Sequence, residues 1–101
     1  MLAEATTGER RSEFMEQALG QLEEAVRLYP GSDKLHFRLA DLAEKMGEVE
    51  IARSHYRAAV EIEDSYRVQF RVMYPGREMF SRLGETKYQL ALERIGRDAG
   101  E

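Results

Sequence analysis

Few residues in this chain have a type and spacing that invite chemistry. His36 and His55 are its two histidines, and it has no cysteine. They stand 19 positions apart with no third ligand at metal spacing, so no metal site is expected. His36 reads as a packing residue. Carboxylates are plentiful: Glu23 and Glu24, Glu48 and Glu50, then Glu61, Glu63 and Asp64. Two acids that flank a cleft can hydrolyse a glycoside. These fall on outward positions near helix starts and ends, and they read as a solvated face. Glu63 is different because it falls on an apolar seam. Buried there, it needs an arginine or a hydroxyl beside it. Ser12, Ser32, Ser54, Ser65 and Ser81 lie outside Gly-x-Ser-x-Gly and Ser-x-x-Lys contexts, and no glycine-rich phosphate loop is present. Neither catalysis nor a cofactor is expected.

The densest polar cluster interleaves Arg67, Arg71, Arg77 and Arg82 with Tyr66, Phe70, Tyr74 and Phe80. Arg67 and Arg71 share a helix face by their i, i+4 spacing. Arg67, Arg71 and Arg77 form a candidate patch for an acidic peptide, a phosphate or a nucleic-acid backbone. The other reading puts the aromatics in the core, with arginine stems over them and charged heads in water. That second reading is favoured.

Charge is uneven along the chain. The net charge is −4. Residues 1–64 carry 14 acids and 8 bases, whereas residues 65–101 carry 5 acids and 7 bases. An excess of two bases is too small to argue for nucleic acid. At 101 residues, 43% hydrophobic and 34% charged, the chain fits one helix-rich domain. No apolar run approaches the roughly 18–20 residues that span a bilayer, so no membrane insertion is expected. Residues 1–11 lack the apolar stretch of a signal peptide, which favours a cytoplasmic location.

The elements that position these residues follow from periodicity. Residues 1–11 are expected to be a disordered or boundary segment, followed by one domain over 12–96 and a fraying tail over 97–101. The first helix is predicted to start between Gly8 and Ser12, with Ser12 a plausible N-cap, and to run to Tyr29. Met15, Ala18, Leu19, Leu22, Ala25, Val26 and Tyr29 form its stripe. Gly20 suggests a close helix crossing. Pro30-Gly31-Ser32-Asp33 stops the helix and caps the next. The second helix covers about Lys34 to Lys45 and ends at Gly47. In the third, Ala52, Tyr56, Ala59, Glu63, Tyr66, Phe70 and Met73 step by alternating fours and threes. That seam predicts one long helix to about Tyr74, with a break at Asp64-Ser65 as the alternative. A fourth helix is predicted from about Arg77 to Ile95, capping the others.

The stretch from Asp33 to Asp64 carries a family resemblance. Its second half recurs 34 positions earlier: Ala52 on Ala18, Tyr56 on Leu22, Ala59 on Ala25, Val60 on Val26 and Ile62 on Leu28. His36, Leu39, Ala40, Gly47, Ala52, Tyr56, Ala59 and Asp64 fill the positions of a tetratricopeptide repeat (TPR). His36 replaces the usual tryptophan, Ala43 the usual tyrosine and Asp64 the closing proline. The chain therefore resembles the TPR family, with a full repeat at 33–64, a half-repeat at 14–30 and an extended, capping segment at 65–96. The resemblance implies an all-α stack of antiparallel hairpins, about four helices, with no helix before Phe14 to complete the first repeat. A fainter resemblance joins Tyr66-Arg67, Gln69-Phe70, Tyr74-Pro75, Ser81-Arg82-Leu83-Gly84-Glu85 and Lys87-Tyr88 to the TPR tails of bacterial O-antigen ligase-like proteins. It implies the soluble appendage of a membrane protein.

First helices line the partner-binding face in TPR domains. The resemblance thus implies a peptide- or helix-binding surface at Lys34, Phe37, Arg38, Asp41, Glu44 and Lys45, with an exposed Phe37 as its anchor. The chain has no asparagine, which argues against the lysine-asparagine clamp that grips chaperone tails. The leading expectation is a non-catalytic protein-interaction module. The competing ones are self-association through the unfinished array edge and anion binding through the arginines.

Overall fold

Proline, serine and glycine at three positions set the helix boundaries in the first half of the chain. The computed structural model describes the backbone of residues 2–99 and the side chains of residues 10–96. It is all-α, with helices α1 (Leu2–Leu28), α2 (Asp33–Lys45), α3 (Val49–Met73) and α4 (Glu85–Ala99), and no strand among the described residues. Pro30 ends α1. The Ser32 hydroxyl then caps α2, accepting from the Leu35 N–H at 3.3 Å. At the other end Gly47 takes φ +80°. This lets the Glu48 N–H reach the Ala43 carbonyl at 2.8 Å and the Gly47 N–H reach that of Glu44 at 3.1 Å. The chain reverses in three residues, so α2 and α3 form an antiparallel hairpin.

The core is built from small residues on that hairpin. Leu39, Ala40 and Ala43 face Ala52, Tyr56 and Ala59, all buried. Alanine on both sides lets the helix axes approach closely. Phe37 meets Tyr56 edge to face, with ring centroids 5.5 Å apart. Leu83, Tyr88 and Ala91 close the core from the C-terminal side. On α1 only Val26 is buried among the described side chains, while Met15, Ala18, Leu19, Leu22 and Ala25 are half-buried and Tyr29 is exposed.

Several boundaries differ from the sequence reading. α1 begins at Leu2, not between Gly8 and Ser12, so Ser12 is interior to the helix and caps nothing. Ala, Glu, Leu and Arg dominate this stretch, and extending an existing helix through such residues costs little. Met1 lies outside the described residues. There is no close crossing at Gly20, where an added Cβ would meet nothing within 4 Å. α3 is continuous through Asp64-Ser65 to Met73, as its seam predicts. α4 begins at Glu85, eight residues after the predicted Arg77, and it passes Gly96 to reach Ala99. Residues 100–101 of the expected tail lie outside the described residues.

The late start of α4 has a tertiary cause. Pro75-Gly76 turns the chain, and residues 77–84 return along α3 without helical structure. Their tether is Glu63, which is 0% exposed. One of its oxygens accepts the Leu83 N–H at 3.1 Å and the other accepts Arg67 Nε at 3.2 Å. The Ser81 hydroxyl also donates to Glu63. Arg67 continues to Glu85 at 3.0 Å and lies 3.9 Å over the Tyr88 ring. Tyr88 then donates its hydroxyl to Asp64 at 2.5 Å. A helix over 77–84 would take the Leu83 N–H away from this carboxylate. Gly84, at φ +104°, makes the final bend before α4.

Removing the carboxylate orphans the buried Leu83 N–H and leaves half-buried Arg67 with Glu85 as its remaining ion pair. Glu63→Ala is expected to cost roughly 1–3 kcal/mol, against less than about 0.5 kcal/mol for the exposed Glu61→Ala. Urea unfolding of the two variants measures the difference.

Candidate functional site

The proposed peptide face of α2 is split by the packing. Lys34, Arg38, Asp41 and Lys45 form one outward stripe, and Asp41 pairs with Lys45 at 3.2 Å. Phe37 is not on it. It is 7% exposed, turned into the core against Tyr56, with the Lys87 ammonium 5.7 Å from its ring centre. The expected aromatic anchor is thus a core residue, because α4 packs over that side of α2. Glu44 faces the same way and pairs with Arg94 of α4 at 2.6 Å. Near that pair, burial first and then Glu44 and Asp41 push the Tyr56 hydroxyl up to about 12, which keeps it protonated.

A groove lies on the other flank of α2. α1 spans 27 residues and α2 only 13, about 40 Å against about 20 Å. The N-terminal part of α1 therefore runs beyond its partner. Phe14, Met15 and Ala18 of α1 and Leu42 of α2 line an apolar groove of about 510 Å³, with Arg10 and Arg11 at its edge. Phe14 is 65% exposed within it. Leu42 lies one helical turn from Arg38 and from Lys45, so the exposed half of the predicted α2 face borders this groove. The sequence held one sign of it: an apolar stripe from Met15 along the first helix, with Phe14 just before it.

The arginine cluster is also divided. Arg67 is committed to Glu63 and Glu85. Burial works to raise the Glu63 carboxyl, but the bonds from Ser81, the Leu83 N–H and Arg67 outweigh it and hold Glu63 below the usual carboxylate range. Arg82 lies 5.2 Å from the Tyr66 ring centre. Arg71 and Arg77 are exposed. Tyr66, Phe70 and Tyr74 stack in sequence at 6.1 and 5.1 Å. Beyond them Val72, Met73 and Phe80 stand exposed at the tip, Phe80 at 76%. The reading that put these four aromatics in the core fails: Tyr66 and Phe70 are half-buried, Tyr74 and Phe80 are exposed, and the head of Arg67 is ion-paired over Tyr88 instead of standing in water.

His36 and His55 meet across the α2–α3 hairpin, with Nδ1 atoms 2.8 Å apart and ring centroids at 5.1 Å. His36 Nε2 also lies 2.8 Å from the Pro30 carbonyl. The packing role read for His36 is what the structure shows, but the partnership with His55 was missed. Their midpoint falls between Lys45 and Met46, where α2 gives way to the hairpin turn, and residues about equally far from such a turn meet across it. Among the described residues no three His, Asp or Glu side chains converge as a metal site, and no helix is long and apolar enough to cross a membrane.

Compared with known proteins, the chain matches no family model, no curated protein and no solved structure.

The division of the arginines has a measurable consequence. Arg67→Glu would set a second carboxylate against buried Glu63 and lower the thermal midpoint sharply. Arg71→Glu with Arg77→Glu is expected to leave stability within about 0.5 kcal/mol per site. Equal losses in the two thermal melts would mean that Arg67 is not committed internally.

Proposed function

We propose that this is a non-catalytic protein-interaction module of TPR type that takes an amphipathic helix of a partner protein. The groove between α1 and α2 carries the reading. In a stack of hairpins, α1 would take the place of a repeat's second helix, and among the described residues no helix lies over the place of the first. An apolar strip at Phe14, Met15, Ala18 and Leu42 is what such a helix would cover. Arg10 and Arg11 line one wall, and Arg38 stands near the other, where Lys45 is paired with Asp41. A helix with an apolar stripe and acidic flanks satisfies both features. The turn at Gly47 and the small-aromatic-small spacing of Ala52, Tyr56 and Ala59 support the TPR reading.

Self-association is a second reading, with its own observation in the exposed Val72, Met73 and Phe80 at the tip of α3. A single monomeric mass at millimolar concentration in sedimentation equilibrium would remove it.

The helix-binding reading is tested with a synthetic helix bearing a leucine stripe and glutamate flanks, followed by fluorescence anisotropy. Saturable binding that weakens with salt is expected. Phe14→Asp should abolish it, and Arg10→Glu with Arg11→Glu should weaken it at least about tenfold, the equivalent of about 1.4 kcal/mol. Binding unchanged in Phe14→Asp would place the site elsewhere.

A further inference from the structure

The histidine pair has a proton count that follows from its geometry. His36 Nε2 faces a carbonyl oxygen, which only accepts, so this nitrogen carries hydrogen and donates to Pro30. In the neutral ring, Nδ1 of His36 is then an acceptor. The bond between the two Nδ1 atoms therefore requires His55 to donate from Nδ1. Two neutral rings satisfy both bonds. One added proton is also tolerated, since it can occupy His55 Nε2 and leave both bonds in place. A second added proton cannot be accommodated. All four ring nitrogens would then carry hydrogen, and two N–H groups and two positive charges would face each other across 2.8 Å.

We infer that His36 and His55 form a proton-limited clamp, which ties the α1–α2 turn to the α2–α3 hairpin and opens when both rings are charged. The clamp joins three parts of the chain: the Pro30 carbonyl at the end of α1, His36 of α2 and His55 of α3. It acts on the most weakly held helix, since Val26 is the one buried residue of α1 among its described side chains. This inference is independent of what the groove binds.

The surrounding charges leave the count intact. Glu23 of α1 acts on His55 and favours its charged form. Buried Asp33 stands one turn before His36 on α2, and Glu61 of α3 lines the same shallow cavity as His36. Of these acids Glu23 is the one that acts on His55. They do not remove the clash made by the second proton. Burial, and then His36, hold His55 below the usual imidazole range despite Glu23. The clamp is therefore intact while the pair carries at most one added proton, and it is lost once pH falls far enough for the second to bind.

Hydrogen exchange and imidazole NMR on the whole chain test this between pH 7.5 and 4.5. Protection of the Leu22, Ala25 and Val26 amides should stay flat while the first proton binds. It should then fall about tenfold per pH unit as the second binds, while Ala59 and Ala91 keep theirs. His55→Gln supplies a neutral donor and acceptor at the same place, and its α1 protection should not change over the histidine range. Two outcomes overturn the inference: both rings reaching full charge with α1 protection unchanged, or the same acid-dependent loss in His55→Gln. The ring titration of the native chain decides the matter even if the variant does not fold.

Discussion

A fully buried carboxylate near the middle of α3 constrains everything that follows it in the chain. Glu63 sits among Tyr56, Ala59 and Val60, where an ionised group without partners is not tolerated. Its partners come from two directions. Arg67 lies one turn on along the same helix, which periodicity supplies. Ser81 and the Leu83 N–H come from nearly twenty residues away, and the chain must fold back to deliver them. That return keeps 77–84 out of a helix and sets Tyr88 under the Arg67 guanidinium. α4 is positioned by a polar tether as much as by its own apolar face.

The two ends of the molecule differ for this reason. On the C-terminal side, a chain of charge-assisted bonds from Asp64 through Tyr88, Arg67, Glu85 and Glu63 binds the loop and α4 to α3. On the N-terminal side, α1 is held by half-buried aliphatics, one buried valine and the histidine contact at the Pro30 turn. Apolar surface is left uncovered at the weakly held end, between α1 and α2. The proposed helix-binding reading rests on that uncovered surface.

Much of the architecture was legible in the sequence. The alternating steps of four and three from Ala52 to Met73 identified a single long helix, and the position of Glu63 on that seam called for an arginine or hydroxyl, which Arg67 and Ser81 provide. Gly47 marked the hairpin turn. The start of α4 was not legible, because Phe80 and Leu83 have helical spacing and only a long-range bond to Glu63 overrides it. Phe37 misled for a related reason: beside Lys34 and Arg38 it looks like part of a polar face, and only the placement of α4 makes it core. The groove was half legible. The apolar stripe of the first helix was visible from Met15, but the overhang of α1 depends on a helix that starts earlier than Gly8 and Ser12 suggest.

The dependence of this fold on Glu63 is read most directly at a single backbone amide. Leu83 lies outside any helix, and its N–H donates to the Glu63 carboxylate. If the carboxylate is the tether, the Leu83 amide should exchange with solvent as slowly as the Ala59 amide in the centre of α3, measured by hydrogen exchange at neutral pH. Exchange of Leu83 at the rate of an open loop would contradict the account.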